Sequence, residues 1–445
     1  MLRLLYSLHR RSTGQWHWLR RRFTRPGLVV LGAAVAAGFM GVDTDHSVAY
    51  QAFMLLAAVL LLALLFGWIF RLRFAVTRAL PRFGTAGQPF TYRMTVQNFT
   101  AKTQTGLTLL DNLADTRPAF HEWRAAWLED KQNFRSLRFS PGPPPHLFQR
   151  ATVKEAVVPP IPPRQTAEVA LEILPYRRGL LQFTGATLAR PDPLGLFRAW
   201  ATVAAPQTVL ILPKRYIVPP VALPGTLKYQ HGGVALAAHV GQSEEFVALR
   251  DYRRGDPMRH IHWRSWARVG KPIVKEFEDE FFVRHALVLD TFTDRSYSAV
   301  FEEAVAVAAS FACTVLTQES LLDLLFAGPQ AYCFTAGRGL AHADQMLEIL
   351  AAAQPCPTPS FATLEHLVLN HAGVVSGCIC VLLAWDDARR SLVTKLKHLG
   401  LPVRVLVIVP AGGGAALDPG PLRDAPEQFQ VLEVGKIEQQ LARLT

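Results

Sequence analysis

Two places in the chain gather side chains whose types and spacing could do chemistry. Between Gly241 and Phe281, six Arg, two Lys, two His and two Trp lie among acids that include Asp251, Asp256, Glu276, Glu278, Asp279 and Glu280. Arginines interleaved with tryptophans can track phosphates and stack on bases. Acids this close would repel phosphate, so forked Arg–carboxylate bonds within the protein are the better reading, and no nucleic-acid partner is expected. The second place is Asp290-Thr291-Phe292-Thr293-Asp294, with Asp386 further along. Carboxylate and hydroxyl oxygens are the hard donors that Mg²⁺ takes in octahedral array, but Phe292 interrupts the set. The competing role for Asp290 and Asp386 is to end strands and cap the helices that follow.

Other chemistries find no support. The chain has no GxxxxGK[ST] and no GxSxG, since Gly241-Gln242-Ser243 continues to Glu244. His260 and His262 flank Ile261 and could share a strand face, but no acid or thiol stands at zinc-site spacing, so surface or ion-paired histidines are expected. The five cysteines, Cys313, Cys333, Cys356, Cys378 and Cys380, are odd in number, contain no CxxC and sit in apolar surroundings, which reads as buried cytosolic thiols.

The elements around these groups follow from periodicity. After Phe281, apolar strands alternate with helical patterns: strands at His285–Asp290, Leu321–Ala327, Cys378–Trp385 and Val403–Val409, and helices at Ser298–Gln318, Ala341–Ala353, Phe361–Leu369 and Asp387–Leu399. That alternation predicts a doubly wound α/β domain over 282–445, with ligands expected beyond the carboxyl ends of strands, where Asp290 and Asp386 fall. From 71 to 225 the text is β-rich. Period-two runs at Pro89–Gln97, Thr166–Leu174, Leu180–Leu188 and Gln207–Leu212 predict antiparallel strands in a sandwich-like domain. An insertion at 112–150 carries His121–Phe134, which sets Trp123 and Trp127 on one helical face, before the break at Pro141–Pro145. The turn-rich segments Tyr176–Gly179 and Pro191–Phe197 read as loops of unsettled role.

Charge places the amino terminus. Residues 1–82 hold eleven Arg and two acids, a balance of 11 − 2 = +9, so the other 363 residues carry only 12 − 9 = +3. Pro26–Val42 and Val48–Phe70 are uncharged runs of 17 and 23 residues. At about 1.5 Å per residue the second reaches about 34 Å, enough to cross a bilayer core, and the first about 26 Å. A helical hairpin over 26–70 behind a basic segment, 1–25, is expected, the first helix thinning the bilayer or drawing in its flanks. Seven Arg precede it, none lies in the link, and Arg71, Arg73, Arg78 and Arg82 follow. The positive-inside rule then puts both termini and the soluble domains in the cytoplasm, behind a bacterial inner membrane.

The segment at 226–281 carries a further signal. Glu245-Phe246, Leu249-Arg250, Tyr252, Gly255-Asp256, Arg259, Ile261, Trp263 and Ala267-Arg268 reproduce an EF..LR.Y..GD..R.I.W...AR pattern, preceded by Arg177-Arg178-Gly179 and Asp192-Pro193-Leu194-Gly195-Leu196-Phe197-Arg198. In these features the chain resembles the bacterial family called domain of unknown function 58. The run from His285 to Asp294 resembles the start of a von Willebrand factor A-like domain, whose DxSxS metal motif is degenerate here: Phe292 replaces the first serine and Asp294 the second.

The resemblance implies a membrane protein that works with a MoxR-type AAA+ ATPase in the assembly or maturation of other proteins, and it supplies no catalytic residue. A non-enzymatic adaptor is therefore expected, with no cofactor. The signature residues Glu245, Phe246, Leu249, Arg250, Tyr252, Gly255, Asp256, Arg259, Ile261, Trp263 and Arg268 would bind a partner or clasp the two soluble domains together. In that clasp Trp263 and Ile261 pack inward while Arg250, Arg259 and Arg268 bond to carboxylates. The alternatives are a Mg²⁺-dependent hydrolase using Asp290 and Asp386, with Thr293 and Asp294 as further ligands, and a structural component of a cell-envelope complex.

Overall fold

A computed structural model of the chain describes residues 3, 6–7, 19, 21–40, 47–69, 73–114, 120, 124, 149–219, 246–256, 258–277, 284–293, 298–317, 321–328, 330–336, 340–356, 360–413 and 417–444. Of the helix expected at His121–Phe134 only Arg124 is described; its tryptophans, and the residues Glu245, Pro257 and Asp294, lie outside the described residues. The chain forms two compact units, Met1–Leu212 and Pro213–Thr445. The division falls inside the range that the sequence assigns to the β-rich domain.

The first unit begins with two apolar helices, α1 (Arg25–Met40) and α2 (Ser47–Ile69). Within α2, Val48–Gly67 is long and apolar enough to cross a membrane. Helix α1 is apolar but has only 16 residues. The two helices pack together, and the absent side chain of Gly38 lets the Phe53 ring approach. Nine strands follow: β1 (Phe74–Ala79), β2 (Phe83–Thr85), β3 (Phe90–Asn98), β4 (Leu107–Leu113), β5 (Ala151–Val153), β6 (Ala156–Val158), β7 (Thr166–Pro175), β8 (Gly179–Pro191) and β9 (Arg198–Leu212). They form a four-stranded sheet, β1-β3-β7-β5, and a five-stranded sheet, β2-β9-β8-β4-β6. Alternate residues, such as Tyr92, Met94 and Val96 on one sheet and Leu181, Phe183, Leu109 and Ile211 on the other, fill one shared core, the arrangement that period-two alternation dictates.

Inside this sandwich lies a buried polar network. Arg78 donates from Nε and Nη2 to the two carboxylate oxygens of Asp111, at 2.8 and 2.5 Å, and from Nη1 to the Ala205 carbonyl. The Tyr92 hydroxyl donates to Asp111 at 2.5 Å, and the guanidinium lies 4.5 Å from the Phe183 ring centroid. Burial, reinforced by the Asp111 charge, holds the Tyr92 hydroxyl protonated far above its ordinary range. Each group has its partners, as a buried ion pair requires.

The β8–β9 turn, Pro191–Phe197, is more than a loop. Asp192 accepts hydrogen bonds from the amides of Leu194, Leu196 and Phe197, at 3.2, 2.7 and 2.8 Å. That turn seats Leu196 and Phe197 against Phe23 and Ala63 at the base of the two apolar helices. A Cβ on Gly27 would fall 1.9 Å from the Leu196 carbonyl oxygen, so no other residue fits this approach.

The second unit opens with Tyr216 held on a helix of its own: its amide donates to Ser310 Oγ at 2.8 Å and its hydroxyl to Glu303 at 2.5 Å. Next come β10 (Phe246–Asp251), α3 (Trp263–Val269) and β11 (Ile273–Phe277), then β12 (Arg284–Leu289), α4 (Ala299–Thr317), β13 (Leu321–Ala327), β14 (Ala331–Ala336), α5 (Leu340–Ala352), α6 (Ala362–His371), β15 (Gly377–Leu382), α7 (Asp387–His398), β16 (Val403–Val409), β17 (Phe429–Glu433) and α8 (Ile437–Leu441). The last six strands make one sheet in the order β14-β13-β12-β15-β16-β17, parallel except for β14. Strands β13, β15 and β16 are buried at every position, which is why they read as unbroken apolar runs. The order reverses between β12 and β15, so the crevice beyond their carboxyl ends is where a doubly wound fold accepts ligands.

Candidate functional site

Asp290 follows β12 and Asp386 starts α7 just beyond β15, so the topology brings the two acids to the switch point as the sequence predicts. Their surroundings differ from the expectation. Arg389, one turn into α7, reaches back between them. It donates to Asp290 from Nε to Oδ2 at 3.1 Å and from Nη2 to Oδ1 at 3.3 Å, and its Nη1 donates to Asp386 Oδ2 at 2.5 Å. Backbone amides bond to the same carboxylates. Asp290 Oδ1 accepts the Phe292 amide at 3.0 Å, Asp290 Oδ2 also accepts the Leu383 amide at 3.1 Å, and Asp386 Oδ1 caps α7 by accepting the Arg389 amide at 3.0 Å. All four carboxylate oxygens thus bond to donors of the protein itself.

Aromatic rings close the site. The Arg389 guanidinium lies 4.5 Å from the centroid of Phe361, which meets Phe292 edge to face at 5.8 Å. Phe292, standing where a ligating serine would be, is part of this lid. The Thr291 hydroxyl donates to the carbonyl of Ala327 at the end of β13. Asp290 is wholly buried. Burial pushes its carboxyl above the ordinary range, against the pull of the Arg389 charge and the two amides.

The donor set does not fit a resident divalent cation. Asp290 and Asp386 could supply hard oxygens only if the guanidinium left, and among the described residues no group of three or more His, Cys, Asp or Glu is arranged to hold a metal. Thr293 is described and partly buried; Asp294 falls outside the described residues. Arg389 escaped the sequence reading, although Asp386 and Arg389 at i and i+3 of a helix start are spaced to pair. Its main partner lies 99 residues away.

The signature segment folds as an antiparallel β10–β11 hairpin with a long connection. Arg250 grips Asp256 with two hydrogen bonds, at 2.7 and 2.8 Å, and the Arg253 amide adds a third at 2.8 Å. The Arg250 bonds first, then this amide, hold the Asp256 carboxyl down at about 2. Gly255 makes the turn at φ 112°, a conformation that L side chains rarely adopt. Ile261 is buried and bridges to Val274, as expected. Tyr252 and Leu249 are exposed.

Three expectations need correction. Trp263 does not pack inward; it is 61% exposed and stacks on the half-buried Trp266 at 5.2 Å, since i, i+3 spacing sets the two indoles on one helical face. Arg259 and Arg268 are exposed, and among the described residues no carboxylate pairs with either. His260 and His262 share no strand face: His260 ends a 3₁₀ turn and His262 precedes α3, its Nδ1 2.6 Å from Ser265 Oγ.

Fold and site together define a two-unit protein with an apolar helix pair, a β-sandwich, and a doubly wound α/β unit that carries a charged hairpin ahead of its first parallel strand. Residues 248–405, from that hairpin into β16, match the family described as Protein of unknown function DUF58. It is 28% identical over 194 residues to the uncharacterized protein YeaD of Bacillus subtilis, a match covering 43% of this chain and 46% of YeaD. The chain thus spans about half the length of this curated relative. Two solved structures align weakly. The CARDB domain of PF1109 from Pyrococcus furiosus aligns at 11% identity and TM-score 0.16, covering 31% of this chain and 93% of that domain. A cohesin module from a Clostridium perfringens family 33 glycoside hydrolase aligns at 10% identity and TM-score 0.15, covering 32% and 98%. At those TM-scores neither alignment bears on the fold or the function.

Proposed function

We propose that the protein is a non-enzymatic adaptor anchored in the bacterial inner membrane, working with a MoxR-type AAA+ ATPase in the assembly or maturation of other proteins. The observation that carries this reading is the switch point, where a doubly wound fold would bind substrate or metal and where this chain places its own guanidinium. A built-in cation gives Asp290 and Asp386 a structural task and leaves the von Willebrand factor A-like unit to act through its surface. The anchor in this reading is a two-span hairpin. Val29, Phe39 and Met40 on α1 and Val48, Leu55 and Leu61 on α2 are exposed large apolar side chains suited to lipid. The arginines flanking the pair favour cytoplasmic termini and soluble units.

Purification of the native protein in mild detergent tests the proposal. A MoxR-type ATPase is expected to co-purify at a fixed ratio. Absence of any ATPase across repeated preparations contradicts the reading, and a stable stoichiometric assembly lacking one would place the protein among structural envelope components.

A further inference from the structure

The signature hairpin presents a face that the adaptor reading does not use. Trp263, Met258 and Val269 are 61, 70 and 59% exposed, and Leu249 and Tyr252 join them among the exposed large apolar side chains of this segment. Trp263 and Trp266 lie stacked at 5.2 Å with 18° between their planes, a flat indole surface rather than scattered side chains. The same segment carries Arg253, Arg254, Arg259, Arg264, Arg268 and Lys271, all exposed. From 250 to 275 the sequence holds eight Arg or Lys against Asp251 and Asp256, and Asp256 is already taken by Arg250. An exposed indole stacked on a half-buried one, in a segment whose exposed cations pair with no carboxylate among the described residues, calls for an occupant that is anionic in its outer layer and apolar beneath.

We infer that this face is a peripheral membrane contact, which seats Trp263, Trp266, Met258 and Val269 at the headgroup level of an anionic leaflet while the arginines bind lipid phosphates. Indoles settle at the boundary of headgroup and acyl chain, and basic residues near the surface are drawn to anionic lipid within a Debye length. The long apolar helix α2 makes the contact intramolecular in effect, so a weak patch suffices once the chain is tethered. The chain then holds to the bilayer at two points, α2 in the first unit and the Trp–Arg face in the second.

Amide hydrogen exchange on the full-length chain in lipid nanodiscs tests this. Discs of phosphatidylcholine alone are compared with discs containing phosphatidylglycerol. Peptides across 258–269 are expected to exchange several-fold more slowly in the anionic discs, and high salt should remove the difference. The triple variant Arg259→Gln, Arg264→Gln, Arg268→Gln should lose it, and Trp263→Ala should weaken it, while β12 and β15 stay protected as evidence of folding. Equal exchange in both discs overturns the inference, as does protection that resists salt. Protection that requires a second protein assigns the face to a protein partner and also overturns it. None of these outcomes depends on an ATPase, so the adaptor reading stands or falls separately.

Discussion

The two units each bury an aspartate gripped by an arginine, and they use the pair differently. In the sandwich, Arg78 and Asp111 lie in the middle of the core with side chains 1 and 0% exposed, their remaining capacity taken by Tyr92 and the Ala205 carbonyl. In the α/β unit, Arg389 and Asp290 stand at the mouth of the sheet, where the arginine side chain is 10% exposed and shares itself with the half-exposed Asp386. The chemistry is the same; the address differs. A pair in mid-core can only organise packing. A pair at a switch point fills the place where a fold of this kind would take a ligand. Reading a buried ion pair therefore requires the topology around it.

The difference can be broken in order of expected effect. Asp111→Ala strands a buried guanidinium and removes the acceptor of the Tyr92 hydroxyl, a change that costs about 3–5 kcal/mol. Amide exchange of β3 and β8 should rise toward the global limit. The double variant Arg78→Met, Asp111→Leu should recover much of the loss, since an apolar pair of similar volume removes the stranded charge.

Asp290→Ala leaves Arg389 its bonds to Asp386 and its contact with Phe361, so the loss should be smaller, about 1.5–3 kcal/mol for a lost hydrogen bond to a charged group. Exchange should increase around Leu383 and the start of α7 and leave the sandwich unchanged. A loss as large as that of Asp111→Ala would erase the distinction between the two addresses.

The surface pair Arg250–Asp256 should matter least, and its pH dependence sharpens the contrast. Its folded pKa, about 2, is below the ordinary 3.8, so its contribution is present above pH 3.8 and is lost as pH falls toward 2. The difference between wild type and Asp256→Asn in protection of the β10–β11 hairpin should be full at neutral pH and vanish near pH 2. A difference that survives at pH 2 would mean the turn is held by something other than this carboxylate.

Much of the fold was legible because burial leaves a local imprint. Alternation along Phe90–Asn98 and Thr166–Pro175 records one face on a core, and the unbroken apolar run Val403–Val409 records two. Strand β14 was missed because it is an antiparallel edge strand, exposed over Ala331–Cys333, whose six residues record no alternation of buried and exposed faces. The site was half legible. Asp290 and Asp386 announce themselves as acids ending apolar strands, but nothing local tells that Arg389 fills the space between them or that Phe292 turns to meet Phe361. The Asp192 turn is similar. Its three amide bonds are local, yet its purpose, to seat Leu196 against Gly27, joins positions far apart in the chain.

The central claim, that Arg389 closes the switch point as an internal cation, is tested most directly by calorimetric titration of Mn²⁺ or Mg²⁺ into the purified full-length protein and its Arg389→Ala variant. The account predicts no saturable binding by the wild type and new binding in Arg389→Ala that disappears when Asp290→Ala is added. Saturable binding by the wild type that Asp290→Ala abolishes would contradict it, and would return Asp290 and Asp386 to metal chemistry.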